Sequence, residues 1–173
     1  MTSVTSLDAA ALRTAFGAFP SGVVSVAATI DGTDIGLAAS SFTSVSLDPP
    51  LVSVSIARTS ATWPILRTAG RIGLSVLAAH HDAVCRQLAG PVDERFDGLA
   101  VVRADSGALL LDEAAATFEC TVFEELPAGD HFVVLLELHE VHAVEHASPL
   151  IFHRSQFGRL HGHGIEPRRR AIS

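Results

Sequence analysis

The stretch Leu37-Ala38-Ala39-Ser40-Ser41-Phe42-Thr43-Ser44-Val45-Ser46-Leu47-Asp48-Pro49-Pro50-Leu51 decides how this chain is read. Four serines and one threonine fall within the seven positions 40–46, with apolar residues on either side. Hydroxyls and exposed N–H groups in such a bend can hold a phosphate or the polar edge of a ring without formal charge. The two prolines end the stretch, because proline donates nothing to a strand ladder. Beyond them Leu51, Ser53, Ser55 and Ala57 alternate with Val52, Val54 and Ile56. That period of two predicts a strand with one small, hydroxyl-bearing face and one apolar face. Small residues let a flat ligand approach the backbone, although the same face would serve equally well beneath a helix. Thr59-Ser60-Ala61-Thr62-Trp63-Pro64 then reads as a hydroxyl-capped helix start with proline in the first turn. Free N–H groups and the helix dipole favour an anion at such a place. Singly, each hydroxyl cluster is a turn or a cap. Together, on either side of a small-faced strand, they predict a cradle for a flat anionic ligand.

Working outward, residues 6–17 predict a capped helix that ends at Gly17. Residues 23–30 are rich in β-branched side chains and run into Asp31-Gly32, a hairpin turn, with the return strand over 34–41. Strands are expected over 71–78, 114–125 and 131–144, the last two joined through Pro127-Ala128-Gly129-Asp130. A helix is expected over 80–89, a polar loop over 93–98, and short strands over 150–153 and 157–160. Six or seven strands with a few short helices predict a mainly β barrel or sandwich. No repeat or linker divides residues 1–173, and the glycine-, histidine- and arginine-rich tail 161–173 reads as a solvated, mobile end.

Composition narrows the function. The chain has 173 residues, 48% of them hydrophobic and only 18% charged, which argues against a disordered chain and allows a real core. Its formal charge of −7 argues against nucleic acid as a partner, since phosphate backbones are bound by a basic footprint. Cys85 and Cys120 lack CxxC spacing and sit in apolar contexts, so they read as buried free thiols of a cytoplasmic protein. The first residues lack a basic start followed by an apolar run, so no signal peptide is expected. No apolar run approaches the ~20 residues needed to span a membrane.

Nine histidines raise the question of a metal. His139, His142 and His146 would align on a helix, but their apolar, β-rich surroundings predict a strand. On a strand His139 points away from the other two, and no metal site is predicted. Neither a GxSxG elbow nor a GxGxxG fingerprint occurs. A dinucleotide or flavin would therefore need another scaffold.

The chain resembles the flavin reductase family, whose members have an FMN-binding split-barrel fold and serve as reductase components of two-component flavin monooxygenases. The resemblance is carried by Phe19-Pro20-Ser21-Gly22-Val23, by the long segment from Ala39 to Leu51, by Ser60-Ala61-Thr62-Trp63-Pro64 and by Gly129-Asp130-His131. It covers about residues 10–160, and residues 150–158 are similar to the family's C-terminal element. It implies a six-stranded antiparallel Greek-key split barrel with a few short helices. It also implies a homodimer with FMN, or FAD, near the interface. Ala38, Ala39, Ser40 and Ser41 would line the ring and ribityl chain, with Ser55, Ile56 and Ala57 along the other edge. Ser60 and Thr62 would hold the phosphate, and Arg95 with Phe96 would match a basic-aromatic pair close by. His131 and Phe157 would lie where the nicotinamide of NADH or NADPH docks, with His131 the catalytic candidate. The alternative for His131 is a purely structural one, as a donor to a backbone carbonyl in the turn.

Two positions depart from the family. Ala38 replaces a common threonine and Phe157 a common tyrosine, so each loses one hydroxyl. The implied activity is hydride transfer from a nicotinamide to the flavin, with reduced flavin passed to a partner monooxygenase. A non-catalytic flavin carrier on the same barrel is the alternative. An oxidase of the pyridoxine-phosphate type shares the fold but calls for a more basic phosphate site than this chain offers.

Overall fold

A computed structural model describes residues 7–160, so the reading of the tail 161–173 lies outside the described residues. Helix α1 (Ala9–Phe16) begins at Asp8, whose carboxylate accepts from the N–H groups of Ala10 and Ala11 at 3.0 and 2.9 Å. After the short β1 (Ser21–Gly22), strand β2 (Val24–Ile30) turns back into β3 (Thr33–Ala39). Asp31 and Gly32 make that turn with φ of 50° and 77°. Two consecutive left-handed residues match the twist of the flanking strands, and aspartate and glycine tolerate them best.

Strands β4 (Thr43–Leu47) and β5 (Pro50–Ala57) form a second hairpin, followed by the single-turn α2 (Trp63–Leu66). Next come β6 (Ile72–Val76), α3 (Asp82–Leu88), a 3₁₀ turn at Val92–Glu94, β7 (Val101–Arg103) and β8 (Leu109–Leu111). The two 13-residue strands β9 (Ala116–Ala128) and β10 (His131–Ala143) turn at Gly129, φ 64°. The hairpin β11 (Leu150–His153) and β12 (Gln156–Arg159) completes the described chain.

The main sheet runs β3-β2-β6-β9-β10-β5-β4, and every pair in it is antiparallel. It has seven strands where six were expected. The added one is β4, whose hydroxyl-rich sequence reads as irregular, yet it pairs Thr43 with Ser53 and Leu47 with Pro50. Register irregularities at Leu135/Leu136 and Leu138/Glu140 break the long β9–β10 ladder. Such bulges bend a strand and increase its twist, which lets the sheet curl.

The curled sheet encloses Val24, Val26, Val54, Leu74, Val134 and Leu136, each no more than 2% exposed. A second apolar cluster, centred on Leu77, Leu88, Leu111 and Leu150, lies between the barrel, α3 and the β11–β12 hairpin. Cys85 and Cys120 are buried and free. His139 meets Thr121 Oγ1 at 2.9 Å, while His146 lies beyond the end of β10 rather than on it. No helix among the described residues is long and apolar enough to cross a membrane.

Candidate functional site

The two ends of the sheet approach each other where β3 and β5 finish. Strand β4 begins at Thr43, opposite Ser53, so the backbone of Ser55 has no strand partner on that side. The Ser41 hydroxyl replaces it, accepting from Ser55 N–H at 2.8 Å and donating to Ser55 C=O at 3.2 Å. Above this link lies a cleft of about 350 Å³. Leu37, Ala38, Ala39, Ser40 and Ser41 form one wall, and Ser55, Ile56, Ala57 and Ser60 form the other. His131 stands at its lip, directly across the ladder from Ala57. Nine residues expected from the sequence thus share one cleft.

Their roles within it differ. Ile56 is 3% exposed and packs in the barrel core with Val52 and Val54, so it offers the cleft mainly its backbone. Ser55 and Ala57 belong to the small-residue face. Ser41 is committed to closing the barrel. The Ser60 hydroxyl accepts from Trp63 N–H at 3.2 Å, as a cap does. Ala38 packs against the second apolar cluster, opposite Ser25 of β2, whose buried hydroxyl has no hydrogen-bond partner among the described residues. A threonine at 38 would set a hydroxyl on the same face as Ser25.

Thr62 and Arg95 lie beside the cleft, not in its walls. Thr62 is 3% exposed and its hydroxyl accepts from Arg95 Nη1 at 3.0 Å. The same Nη1 donates to Gly36 C=O at 2.8 Å, and Arg95 Nε donates to Gly90 C=O at 3.0 Å. Arg95 is half-buried and makes no ion pair among the described residues. Five N–H groups belong to a guanidinium, and the two on Nη2 have no partner among the described residues. A positive charge so placed, without a carboxylate, is suited to an anionic ligand.

Phe96 packs on Gly36, where an added Cβ would come within 2.8 Å of Phe96 Cζ and 2.6 Å of Ala27 Cβ. The glycine is what lets the Arg95-Phe96 pair dock on β3. Gly36 was not singled out from sequence, although a glycine inside a strand is a known sign of close approach.

His131 Nδ1 lies 2.7 Å from Asp130 Oδ1. That bond, and the charge of the imidazole, hold the Asp130 carboxyl below its ordinary range. With Nδ1 engaged, Nε2 remains for a ligand at the lip. Phe157 lies elsewhere, on β12, with Phe152 at 5.5 Å and the Arg86 guanidinium 5.0 Å over its ring. It does not line the cleft; the β11–β12 hairpin carries it against the second apolar cluster.

Comparison with known proteins identifies the family. The profile of the family described as flavin reductase like domain matches residues 16–161. The chain is similar to an actinorhodin polyketide dimerase of Streptomyces coelicolor, at 39% identity over 88% of this chain and 87% of that protein. It is similar to a flavin reductase of Pseudomonas putida, at 34% identity over 88% of this chain and 91% of the other. Among solved structures, an NADH:FAD oxidoreductase of Streptomyces globisporus in complex with NAD and FAD fragments superposes with a TM-score of 0.87. That match has 31% identity and covers 93% of this chain and 98% of the other. A family match over most of the chain, with relatives of this identity and coverage, places the protein in the flavin reductase like domain family.

Proposed function

We propose that the protein is an NAD(P)H-dependent flavin reductase that supplies reduced flavin to a partner monooxygenase. The observation that carries this reading is the shared cleft: walls of small residues along β3 and β5, a histidine at the lip and an uncompensated guanidinium beside it. Family membership supports it, as does the likeness to proteins described as a flavin reductase and an NADH:FAD oxidoreductase. When bound, the flavin supplies the two-electron chemistry, accepting hydride from the nicotinamide.

The chain's own part is to bind, align and exclude. Ala39, Ser40 and Ala57 leave room for a flat ring against the backbone, while Ser55 and the exposed N–H groups of the 40–41 bend provide polar contacts. Arg95 Nη2, with the Ser60–Thr62 segment, holds the phosphate. His131, fixed through Nδ1 by Asp130, turns Nε2 towards the nicotinamide carboxamide. Phe157 reaches a nicotinamide only from outside this cleft, so its assignment rests on the family alone. We place the cleft near a homodimer interface on the same basis.

The test uses the purified protein with FMN or FAD and with NADH or NADPH, following the nicotinamide absorbance band. Flavin-dependent oxidation of one nicotinamide is expected. Flavin binding with no oxidation of either would leave a carrier, and no flavin binding would remove both readings.

A further inference from the structure

A cavity of about 660 Å³ lies where the residues after β6, the turn after β8, the β10–β11 connection and the end of β12 converge. Its volume falls within the ~300–1,000 Å³ usual for small-molecule sites. It shares no lining residue with the flavin cleft. Ala79 N–H donates to Ser148 C=O at 2.8 Å and Val144 N–H to Ala115 C=O at 3.0 Å, which ties three of the four segments together.

The polar groups of this cavity are held in place. His81 is 7% exposed, and its Nδ1 accepts from Ala78 N–H at 3.1 Å. The His80 ring leans on it, with the two ring centroids 4.1 Å apart. On its other side, Glu113 Oε2 lies 3.3 Å from His80 Nε2. A carboxylate beside Nε2 favours the proton there, which leaves Nδ1 to accept from a hydroxyl. Glu113 brings that carboxylate from φ 53°, a left-handed conformation unfavourable to glutamate, with its N–H donating to Asp112 Oδ1 at 2.9 Å. Strain of this kind gathers at sites that bind or react. Arg159 lines the same cavity, and its guanidinium has no hydrogen bond or ion pair among the described residues. A planar guanidinium left free matches a carboxylate in both charge and shape.

The remaining lining is mostly small and apolar. Ala78, Ala79, Ala114 and Ala147 project one methyl group each, so a flat body can lie close to the backbone. Val144 and Leu160 add larger apolar side chains, 48% and 61% exposed, which a bound ring would cover.

We propose that this cavity binds a small aromatic hydroxy acid, with its carboxylate on Arg159, its hydroxyl on His80 Nδ1 and its ring over the alanines. The site stands apart from the flavin cleft and does not depend on how that cleft is read.

Titration calorimetry of the full chain with 4-hydroxybenzoate, benzoate and phenol, with and without excess FMN, tests it. The native protein binds 4-hydroxybenzoate about tenfold tighter than either benzoate, which lacks the hydroxyl, or phenol, which lacks the carboxylate. Excess FMN leaves these affinities within about twofold. Arg159→Gln weakens 4-hydroxybenzoate about tenfold and leaves phenol unchanged, whereas His80→Ala brings 4-hydroxybenzoate down to the level of benzoate. Both side chains are exposed, so neither change bears much on folding. No saturation by 4-hydroxybenzoate up to about 10 mM would overturn the site. So would displacement of 4-hydroxybenzoate by FMN, or native affinity in both variants.

Discussion

His81 is buried ahead of α3, and its Nδ1 accepts from the Ala78 N–H at 3.1 Å. That bond needs the neutral ring. Burial first, and then the charge of His80, lower its pKa from the usual 6.5, while Glu113 and Asp112 pull the other way without prevailing. As the pH falls through 6.5 the unfolded chain takes up this proton before the folded one does. The contribution of His81 is therefore present above 6.5 and is lost as the pH drops towards the depressed folded value. His81→Asn keeps an acceptor for Ala78 and removes the titration. Urea unfolding of both proteins between about pH 8 and pH 5 should show a shallower loss of stability in the variant. Parallel losses would mean that His81 does not contribute to the acid sensitivity.

The same scale shows which site residues could be read in advance. Ser55 and Ala57 were legible because alternation alone puts them on one face. The commitments of Ser41, Ser60 and Thr62 were not, since a hydroxyl's partner depends on what folds beside it. Ser41 serves the barrel, Ser60 the helix and Thr62 the guanidinium.

At the level of elements, the barrel depends on a junction without a ladder. Beyond the end of β4, the backbone of Ser55 meets a side chain instead of a strand. Ser41→Ala removes both bonds and leaves a half-buried N–H without its partner. The loss should be about 1–3 kcal/mol, measured by urea unfolding. A change within error would mean that water replaces the hydroxyl at no cost.

Strands with a clear local signal were evident from sequence: residues 23–30, rich in β-branched side chains, and 51–57, with a period of two, correspond to β2 (Val24–Ile30) and β5 (Pro50–Ala57). β4 was hidden because its serines suit a bend as well as a sheet edge. β7 and β8, three residues each, are too short for any period to register.

The whole molecule buries both of its thiols in different places. Cys120 lies in the barrel core, with its thiol donating to Ile72 C=O at 3.2 Å, and burial pushes its pKa up to about 12. Cys85 sits in the second cluster, and burial raises its pKa as well. Thiolate is the reactive form, so the native protein should be nearly inert to an aromatic disulfide at mildly alkaline pH. In denaturing urea both cysteines of the chain should react. Rapid release of one equivalent from native protein would show that one of the two clusters opens readily.

The sequence by itself determined which face of each element is apolar, where the hairpins turn and which short segments carry hydroxyls. These are properties of neighbours in the chain, set by the period of two and by turn chemistry. Tertiary structure alone decided which of those segments meet. Arg95 reaches Thr62 across 33 positions and Gly36 across 59, and no local pattern encodes either contact. Closure of the sheet brings β3 and β5 together, and a glycine at 36 admits the Arg95-Phe96 pair beside the cleft. The cleft was thus foreseeable in its parts, while the charge at its boundary comes from the folded barrel.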